Sequence, residues 1–599
     1  MDTYIPIKKE VRNQNDKPLI TKHFLELIEA RQKAWNEGKN LKYRFYRNRV
    51  NRAAKTLRKQ FYESKVQNLR KSNSKNWWKA TKNLIGQNNN VEIASFRDLL
   101  NESCDNNPQT LANTLNDFLI SVCRDIEPLP NHDEQDYNHI IEDEFLTTVE
   151  EVETKLAKIK LDKAIGPDKI PNWILRDFAP YLSRPLTSIF NASLIEKYIP
   201  EEMKSADIIP VPKKTPVKDI KKDIRPISLT PMISRILESI VRDRIRKYTL
   251  NKIDPNQYGG IPNSSTTTAL IDMMHEWTKA SENNQIVRVL LLDYSKAFDH
   301  VDHRILLSKL DDMNIPHTLQ QWLRNFLTKR RQRVKFQKDV SSWQYLRGSV
   351  PQGSGLGGDS FVWMINDLST PCRIWKFMDD TTLSETITTE IESKLQKNVD
   401  HVVHWSKDNH MNLNADKTKE LIIDFRKEKM KSKKIVIEET DVEQVQSIKL
   451  LGLRITKDLK WKEHINHLIK ATSKKIYYLK HLKRAGVPPE DLLLFYKSVI
   501  RSSLEYACPV WHTSLTKELE NDLEKLQIRS LQIIFGEISN NTFQLHNIET
   551  LATRRDTLCR KLFHQVTADQ KHKLSKLLTK PNCRNRKKTH YSTSWNRQT

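Results

Sequence analysis

Two short apolar segments of this chain carry acidic residues, one at its end and one in the middle, and they constrain the fold more than any other feature. The sequence IVRVLLLD, residues 286–293, predicts a buried strand that ends at Asp293. The sequence KFMDDTTL, residues 376–383, predicts a hairpin whose turn carries Asp379 and Asp380. Three carboxylates held on rigid backbone supply the hard oxygen ligands that suit two Mg²⁺ ions.

An adjacent pair of aspartates is a weak signal when it stands alone. Asp311 and Asp312 form another such pair in the same chain, and ordinary surface turns carry them as well. A purely structural role is therefore the alternative for Asp379 and Asp380, unless the surrounding sequence adds information.

Charge is distributed unevenly along the 599 residues, whose formal net charge is +26. Residues 1–90 hold 22 Lys and Arg against seven acids, whereas residues 91–150 hold two against 14. A basic excess of this size favours nucleic acid over a membrane as the partner. No uninterrupted apolar stretch approaches the roughly 18 residues that a membrane-spanning helix requires.

The apolar pattern changes along the chain and predicts its organisation. Residues 24–69 keep apolar or aromatic residues at helical intervals, which predicts a long basic helix. Helices alternate with short strands from about residue 150, and the pattern beyond Trp461 is almost wholly helical. The expected parts are a basic helical N-terminal extension (1–90), an acidic linker or helices (91–150), a body of helices and strands (151–460), a helical region (461–565) and a flexible basic tail (566–599).

Seven segments in a fixed order add the information that the acidic pair lacks. They begin at residues 222, 256, 290, 348, 376, 412 and 450 and read KDIRPISLTPMISRILESIV, NQYGGIPNSSTTTALI, LLLDYSKAFDHVDH, GSVPQGSGLGGDSF, KFMDDTTL, NLNADKTKELII and LLGLRITKDLKW. In order and spacing they resemble the reverse transcriptase domain of non-LTR retrotransposons, particularly the jockey-like elements. The resemblance covers about residues 150–565.

The resemblance implies an α+β right-hand polymerase and a catalytic centre. Fingers and palm would occupy residues 151–460 and an α-helical thumb residues 461–565, preceded by the basic extension that would grip template RNA. Asp293 and Asp379 match the carboxylates that hold two Mg²⁺ ions, with Mn²⁺ as a substitute, and Asp380 would contribute mainly field and orientation. The implied reaction is RNA-directed DNA synthesis, in which the 3′-hydroxyl of a DNA primer attacks a dNTP.

The resemblance also implies a set of nucleotide-binding residues. Arg225 and one of the preceding lysines would grip the triphosphate, Phe298 would exclude a 2′-hydroxyl, and Lys417 is a candidate proton donor to pyrophosphate. An ordinary core phenylalanine, a turn glutamine and solvated lysines are the structural alternatives. The complete set is Lys213, Lys214, Arg225, Phe298, Gln352, Gly353 and Lys417.

The sequence departs from the family pattern in three places. Residues 355–359, GLGGD, form a glycine-rich loop where relatives carry a sequence close to Leu-Ser-Pro-Leu, and we expect the added acid to disturb nucleotide fit. Met378 stands before the acidic pair where close relatives favour a small residue. Leu450 replaces a tyrosine but keeps the following turn.

Three functions compete for this sequence. An RNA-directed DNA polymerase is favoured; an inactive nucleic-acid-binding remnant of a truncated element is the alternative. An RNA-dependent RNA polymerase would require a polar residue in place of Phe298. The family carries an endonuclease ahead of the polymerase, for which residues 1–150 leave no room, and no RNase H signature is found.

The expected partners are an RNA template, a DNA primer or target and dNTPs, with no membrane, and the sequence does not indicate an oligomeric state. Six scattered cysteines without a Cys-x-x-Cys pair, and a polar N-terminus, predict an intracellular protein. The family implies cytoplasm and nucleus.

Overall fold

The computed structural model describes residues 21–67, 77–78, 80–82, 95–96, 98–99, 107–130, 143–388, 393–427, 433–537 and 540–578. The chain divides into two compact units, one of residues 1–89, 464–508 and 515–557 and one of residues 90–463, 509–514 and 558–599. The longer unit contains the strands and the shorter one is helical.

The helices, in chain order, are α1 (Lys22–Asn36), α2 (Asn40–Gln67), α3 (Pro108–Ser121), α4 (Val149–Ala157), α5 (Asn172–Asp177), α6 (Ala179–Ile195), α7 (Glu201–Lys204), α8 (Met232–Thr249), α9 (Thr266–Glu282), α10 (His303–Asp312), α11 (His317–Leu327), α12 (Gly355–Met364), α13 (Leu395–Asp408), α14 (Lys462–Arg484), α15 (Pro489–Phe495), α16 (Ser502–Leu504), α17 (Cys508–Trp511), α18 (Lys517–Phe535), α19 (Asn540–Leu545) and α20 (Leu551–Ala568).

The strands are β1 (Ser205–Pro212), β2 (Ile224–Leu229), β3 (Ile286–Leu292), β4 (Arg331–Phe336), β5 (Asp339–Val340), β6 (Gln344–Tyr345), β7 (Arg373–Phe377), β8 (Asp380–Ile387), β9 (Lys419–Ile423), β10 (Val436–Ile437), β11 (Thr440–Asp441), β12 (Glu443–Val445), β13 (Ser447–Leu450) and β14 (Leu453–Thr456). The mixture of helices and sheets confirms the α+β class.

A five-stranded sheet in the order β12-β9-β3-β8-β7 lies at the centre of the longer unit. Strand β3 pairs antiparallel with both β8 and β9, and nearly all of its residues are buried. A strand buried on both faces reads as a continuous apolar run, which is why the sequence predicts it. Helices α8, α10, α11, α12 and α13 contribute to the main hydrophobic core beside this sheet.

A second sheet has the order β2-β1-β4-β5, with β6 also paired to β4. Its apolar face packs against Leu111 and Leu115 of α3 in a smaller core that includes Ile208 and Phe336. The acidic stretch 91–150 therefore contains a helix that supports this sheet. Residues 131–142 lie outside the described part of the chain.

The shorter unit corrects the expectation of one continuous helix over residues 24–69. Helix α1 ends before Gly38, whose φ is 67°, and α2 begins at Asn40. The amide of Gly38 donates to the carbonyl of Trp35, and the amide of Lys39 donates to that of Ala34, which is the hydrogen-bond pattern of a Schellman cap. A left-handed glycine ends the helix here although the apolar spacing continues.

The C-terminal residues correct a second expectation. The sequence predicts a flexible basic tail from residue 566, but α20 continues to Ala568 and residues 569–578 are folded against other parts of the longer unit. Lys573 and Lys576 make specific contacts there, so their charges are not simply solvated. The remaining residues of the expected tail, 579–599, lie outside the described part of the chain.

Candidate active site

The end of β3 places Asp293 beside the acidic hairpin. Strands β3 and β8 are in a register that pairs Leu292 with Thr381, so the next position opposes Asp293 to Asp380. The main chain at Asp293 is fixed on its other side, because its carbonyl accepts a hydrogen bond from the amide of Asn414 at 2.8 Å. The sheet therefore brings together carboxylates that are 87 residues apart in the sequence.

Strands β7 and β8 form the predicted hairpin, and Met378 and Asp379 are its two turn residues. Met378 adopts a φ of 56°, in the left-handed region that costs a non-glycine residue about 1 kcal/mol or more. Asp379 lies in the turn as predicted, whereas Asp380 is the first residue of β8; both are exposed to solvent next to Asp293. Two-residue hairpin turns favour positive φ, which explains the conformation of Met378.

The hairpin carboxylates hold protons more tightly than usual, although both side chains reach solvent. Loss of surrounding water is the largest cause of the raised pKa of Asp379; the charge of Asp293 adds to it and that of Arg225 opposes it. Loss of water and then the charges of Asp379 and Asp293 raise the pKa of Asp380 to about 6. Three acids therefore repel one another here, and a cation would relieve that repulsion.

Lys417 supplies a cation to this cluster. Its Nζ donates to Oδ2 of Asp293 at 3.2 Å, and its amide donates to Oδ1 of Asn414. The side chain is 65% exposed, so the ammonium group can move away. The structure thus brings this predicted lysine to the first of the three carboxylates.

Three further predicted cations, Arg225, Lys213 and Lys214, lie on β2 and on the connection between β1 and β2. Arg225, on β2, is exposed and close enough to Asp379 to affect its pKa. Loss of water, followed by the charges of Arg225 and Lys417, lowers the pKa of Lys213. Lys214 is 79% exposed and lies 3.8 Å from Asp223. The structure therefore brings Lys213 to the cluster and leaves Lys214 beside an acid outside it.

The remaining predicted residues are Phe298, Gln352 and Gly353. Phe298 stacks on Phe361 with ring centroids 4.7 Å apart, and it borders the main core. The carbonyl of Gln352 accepts from the amide of Ser228 at 2.9 Å, which ties its loop to β2. Gly353 follows with a φ of 113°, a conformation that other residues rarely adopt.

The glycine-rich segment 355–359 is not the loop that we expected. It forms the start of α12, capped by Ser354, whose hydroxyl accepts from the amide of Gly357 at 2.9 Å. Asp359 is buried and accepts two hydrogen bonds from Arg246 of α8, at 2.9 and 2.6 Å. The added acid therefore serves helix packing, which removes the reason for expecting it to disturb nucleotide fit.

Sequence reasoning missed Asp299, which anchors one of the predicted residues. Its Oδ1 accepts from Nε2 of Gln352 at 3.2 Å. Asp299 directly follows Phe298 in the chain. Three residues further on, Asp302 caps α10 by accepting from the amide of Arg304 at 2.8 Å.

The described residues contain no group of three Asp, Glu, His or Cys side chains arranged closely enough to hold one ion. The carboxylates are nevertheless suitable donors, because Mg²⁺ is commonly held by one or two carboxylates together with water and substrate phosphates. The mutual repulsion of Asp293, Asp379 and Asp380 also fits a site for cations.

These residues all lie within a stretch that matches a known family. Residues 211–455 match the family described as reverse transcriptase (RNA-dependent DNA polymerase). Residues 211–455 form a reverse transcriptase domain. The expectation drawn from the seven ordered segments is confirmed.

Two Drosophila melanogaster proteins show the relationship of this reverse transcriptase domain in more detail. The RNA-directed DNA polymerase from mobile element jockey is 28% identical over 412 residues, 65% of this chain and 44% of its own length. The probable RNA-directed DNA polymerase from transposon X-element is 24% identical over 425 residues, 68% of this chain and 46% of its own length. The chain therefore spans less than half the length of either relative.

Among solved structures, apo telomerase from Candida tropicalis aligns with 47% of this chain and 60% of its own, at 12% identity and a TM-score of 0.31. In the described part of the chain, no helix is long and apolar enough to cross a membrane.

Proposed function

We propose that the chain is an RNA-directed DNA polymerase of a non-LTR retrotransposon that extends the 3′-hydroxyl of a primer with dNTPs. The observation that carries the proposal is the meeting of Asp293 with Asp379 and Asp380 inside the reverse transcriptase domain. The relatives' names supply the reaction, and the arrangement of charged side chains supports it.

The proposed roles follow from the position of each side chain. Asp293 and Asp379 would hold two Mg²⁺ ions, with Mn²⁺ as a substitute, and Asp380 would add negative field. The bound ions would stabilise charge on the triphosphate and lower the pKa of the primer hydroxyl. We assign Lys213 rather than Lys214 to the triphosphate, together with Arg225, whose planar fork of donors suits phosphate oxygens.

Two residues are proposed to act beside the triphosphate. Lys417 would release Asp293 when cations bind and donate a proton to the leaving pyrophosphate. Phe298 would close the space at the sugar, and its stacking on Phe361 holds the ring in one orientation. Gln352 and Gly353 would bring backbone and amide groups to the nucleotide.

From the resemblance to reverse transcriptases, we propose that the sheet containing β3 is the palm. The sheet containing β1 and β2 would belong to the fingers, and the helices from α14 onward would form the thumb. Template RNA and a DNA primer or target are the proposed partners, with the N-terminal extension contributing to RNA binding. The intracellular location stays a prediction.

The inactive-remnant function is the competing proposal. The altered segment 355–359 does not favour it, because the acid of that segment has a structural partner in Arg246. It predicts that the folded chain binds RNA without extending a primer. The same assay therefore decides between the two.

The test is primer extension on a poly-rA template with dTTP and Mg²⁺, with UTP supplied in parallel. We expect the wild-type chain to incorporate dTTP and refuse UTP. Asp379→Ala should lower the rate by about 1,000-fold or more, because metal-bound charge stabilisation contributes several kcal/mol.

The control is Asp311→Ala, which removes one acid from the exposed Asp-Asp pair at the end of α10 and should leave the rate unchanged. Extension that survives Asp379→Ala would overturn the assignment of the carboxylates. A folded wild-type chain that binds RNA but never extends would favour the remnant. Efficient use of UTP would indicate an RNA polymerase instead.

A further inference from the structure

Residues 569–578, here named the C-terminal strap, contact a loop of the longer unit that lies more than 300 residues earlier. Nζ of Lys573 donates to the carbonyls of Pro255, at 3.0 Å, and Gln257, and lies 4.6 Å from the ring centroid of Tyr258. Nζ of Lys576 donates to Oδ2 of Asp272 at 3.0 Å. Two lysines of the strap therefore meet one small region.

Asp272 connects the strap to two other elements. The carboxylate lies on α9 and its side chain is fully buried. It also accepts from the hydroxyl of Tyr258 at 2.7 Å and from Nε1 of Trp375, on β7, at 2.8 Å. Burial opposes ionisation, but the hydrogen bonds from Tyr258 and Trp375 and the charge of Lys576 outweigh it and lower the pKa of Asp272.

The loop held by Lys573 lies directly against the hairpin that carries the candidate carboxylates. The amide of Tyr258 donates to the carbonyl of Lys376 at 2.7 Å, so the loop pairs with β7 through its backbone. Oε1 of Gln257 accepts from the amides of Gly259, at 3.0 Å, and Met378, at 3.4 Å. Met378 is the residue before Asp379.

Gly259 shows how close the approach is. A Cβ at this position would lie 2.5 Å from the backbone nitrogen of Met378, which leaves no room for any other residue. The loop therefore lies in close backbone contact with the turn, and the strap contacts the same loop through Lys573. The turn at Met378 and the strap thus contact the same loop.

We propose that Lys573 and Lys576 are positioning residues for the candidate active site. They hold residues 255–260 against the hairpin and so maintain the geometry of Asp379 and Asp380 without touching substrate. The inference rests on the proposed function, because the positions of Asp379 and Asp380 matter for catalysis only if the chain is a polymerase.

The test compares Lys573→Ala and Lys576→Ala in the full-length chain with Lys571→Ala. Lys571 is an exposed residue of the same strap and serves as the matched control. The measured quantities are kcat, KM for dTTP, the Mg²⁺ concentration that gives half-maximal extension, and the thermal unfolding midpoint. Hydrogen exchange at the amides of Gly259 and Met378 is measured on the same variants without metal or substrate.

We expect kcat to fall about 10- to 100-fold in Lys573→Ala and in Lys576→Ala, because small displacements of reacting groups slow a reaction by factors of this size. The half-maximal Mg²⁺ concentration should rise and the two amides should exchange faster, whereas KM for dTTP should stay within about twofold of the wild-type value, since no nucleotide contact is changed. Lys576→Arg should restore most of the kcat, because it keeps a cation for Asp272.

An active wild-type chain whose kcat, Mg²⁺ dependence and amide exchange are unchanged in both variants would overturn the inference. A lower unfolding midpoint with unchanged kcat and Mg²⁺ dependence would also overturn it, since it would indicate a purely structural role. If the wild-type chain does not extend primers, the proposed function fails, and amide exchange still decides whether the strap holds the turn.

Discussion

Asp299 illustrates how one side chain can organise its neighbours at the candidate site. It accepts a hydrogen bond from Gln352, and the positive charges of Lys296 and Lys213 face it. Loss of water around the carboxyl group is the largest influence and raises its pKa to about 6, while those charges and the hydrogen bond act against the rise. Asp299 therefore connects Gln352 with Lys213, the lysine that we propose contacts the triphosphate.

We expect Asp299→Ala to raise KM for dTTP by about tenfold or more, because a hydrogen bond to a charged group contributes about 1.5–3 kcal/mol. Asp299→Asn keeps an oxygen that can accept from Gln352, so its effect should be smaller. Steady-state extension with varied dTTP measures both. Equal effects of the two variants would mean that the orientation of Gln352 does not depend on this hydrogen bond.

The raised pKa of Asp299 also predicts a pH dependence of stability. Between about pH 4 and pH 6 the carboxyl group of Asp299 is protonated to a greater extent in the folded chain than in the unfolded chain. The contribution of Asp299 to stability therefore falls as pH rises through this range. Relative to Asp299→Asn, wild-type stability should therefore increase as pH is lowered from 7 to 4. Denaturant midpoints of the two proteins across this range provide the measurement, and a constant difference would contradict the pKa direction.

At the scale of elements, helix α12 contains two neighbouring glycines, Gly357 and Gly358, that differ in how much space surrounds them. A Cβ at Gly357 would lie 2.6 Å from the carbonyl oxygen of Pro351, so this position requires close backbone approach. A Cβ at Gly358 would meet nothing within 4 Å. The first glycine is needed for packing, and the second leaves an open surface on the helix.

We expect Gly358→Ala to stabilise the chain by about 0.5–1 kcal/mol, because alanine loses less backbone entropy than glycine in a helix. Gly357→Ala should destabilise it by about 1–3 kcal/mol through overpacking. Chemical denaturation of both variants checks the opposite signs. A loss of stability in Gly358→Ala as large as in Gly357→Ala would show that the open surface is filled by something else.

Elements with a strong local pattern could be predicted from the sequence. Strand β3 lies where apolar spacing placed it, and the described residues beyond Trp461 are largely helical, as predicted. The break at Gly38 was missed, because a single left-handed glycine does not interrupt apolar periodicity. The packing of residues 569–578 could not be foreseen either, since it depends on a buried acid and loop carbonyls far away in the sequence.

The candidate site was predictable to a similar extent. The motif order identified the three carboxylates and Lys417, and the structure places them together. The choice of Lys213 over Lys214, and the part played by Asp299, depend on the relative placement of β1, β2 and the segment after β3. Only the folded sheets contain that information.

For the whole molecule, net charge predicts how RNA binding depends on salt. Residues 40–57 of α2 hold six Lys and Arg and no acid, and all six cations are exposed. Phosphate contacts release counterions, so the affinity of a single strand falls with salt at a log–log slope of about −0.7 per contact.

We expect poly-rA binding by the chain to weaken steeply with KCl. Changing Arg44, Arg47, Arg49 and Arg52 to Gln should reduce the steepness of that slope by up to about 3. Lys525→Gln, on a helix that also carries acids, is the control and should change it little. Equilibrium binding at several salt concentrations decides the matter, and an unaltered slope in the fourfold variant would exclude α2 from the RNA contact.

The contact between Lys576 and Asp272 also has a consequence for how the chain is made. The two residues are 304 positions apart, and a ribosome adding about 5–20 residues per second needs about 15–60 s to cover that distance. Throughout this interval the newly made α9 carries an acid whose lysine partner does not yet exist. The loop beside the carboxylate hairpin therefore gains its final support only after nearly all of the described chain has been synthesised.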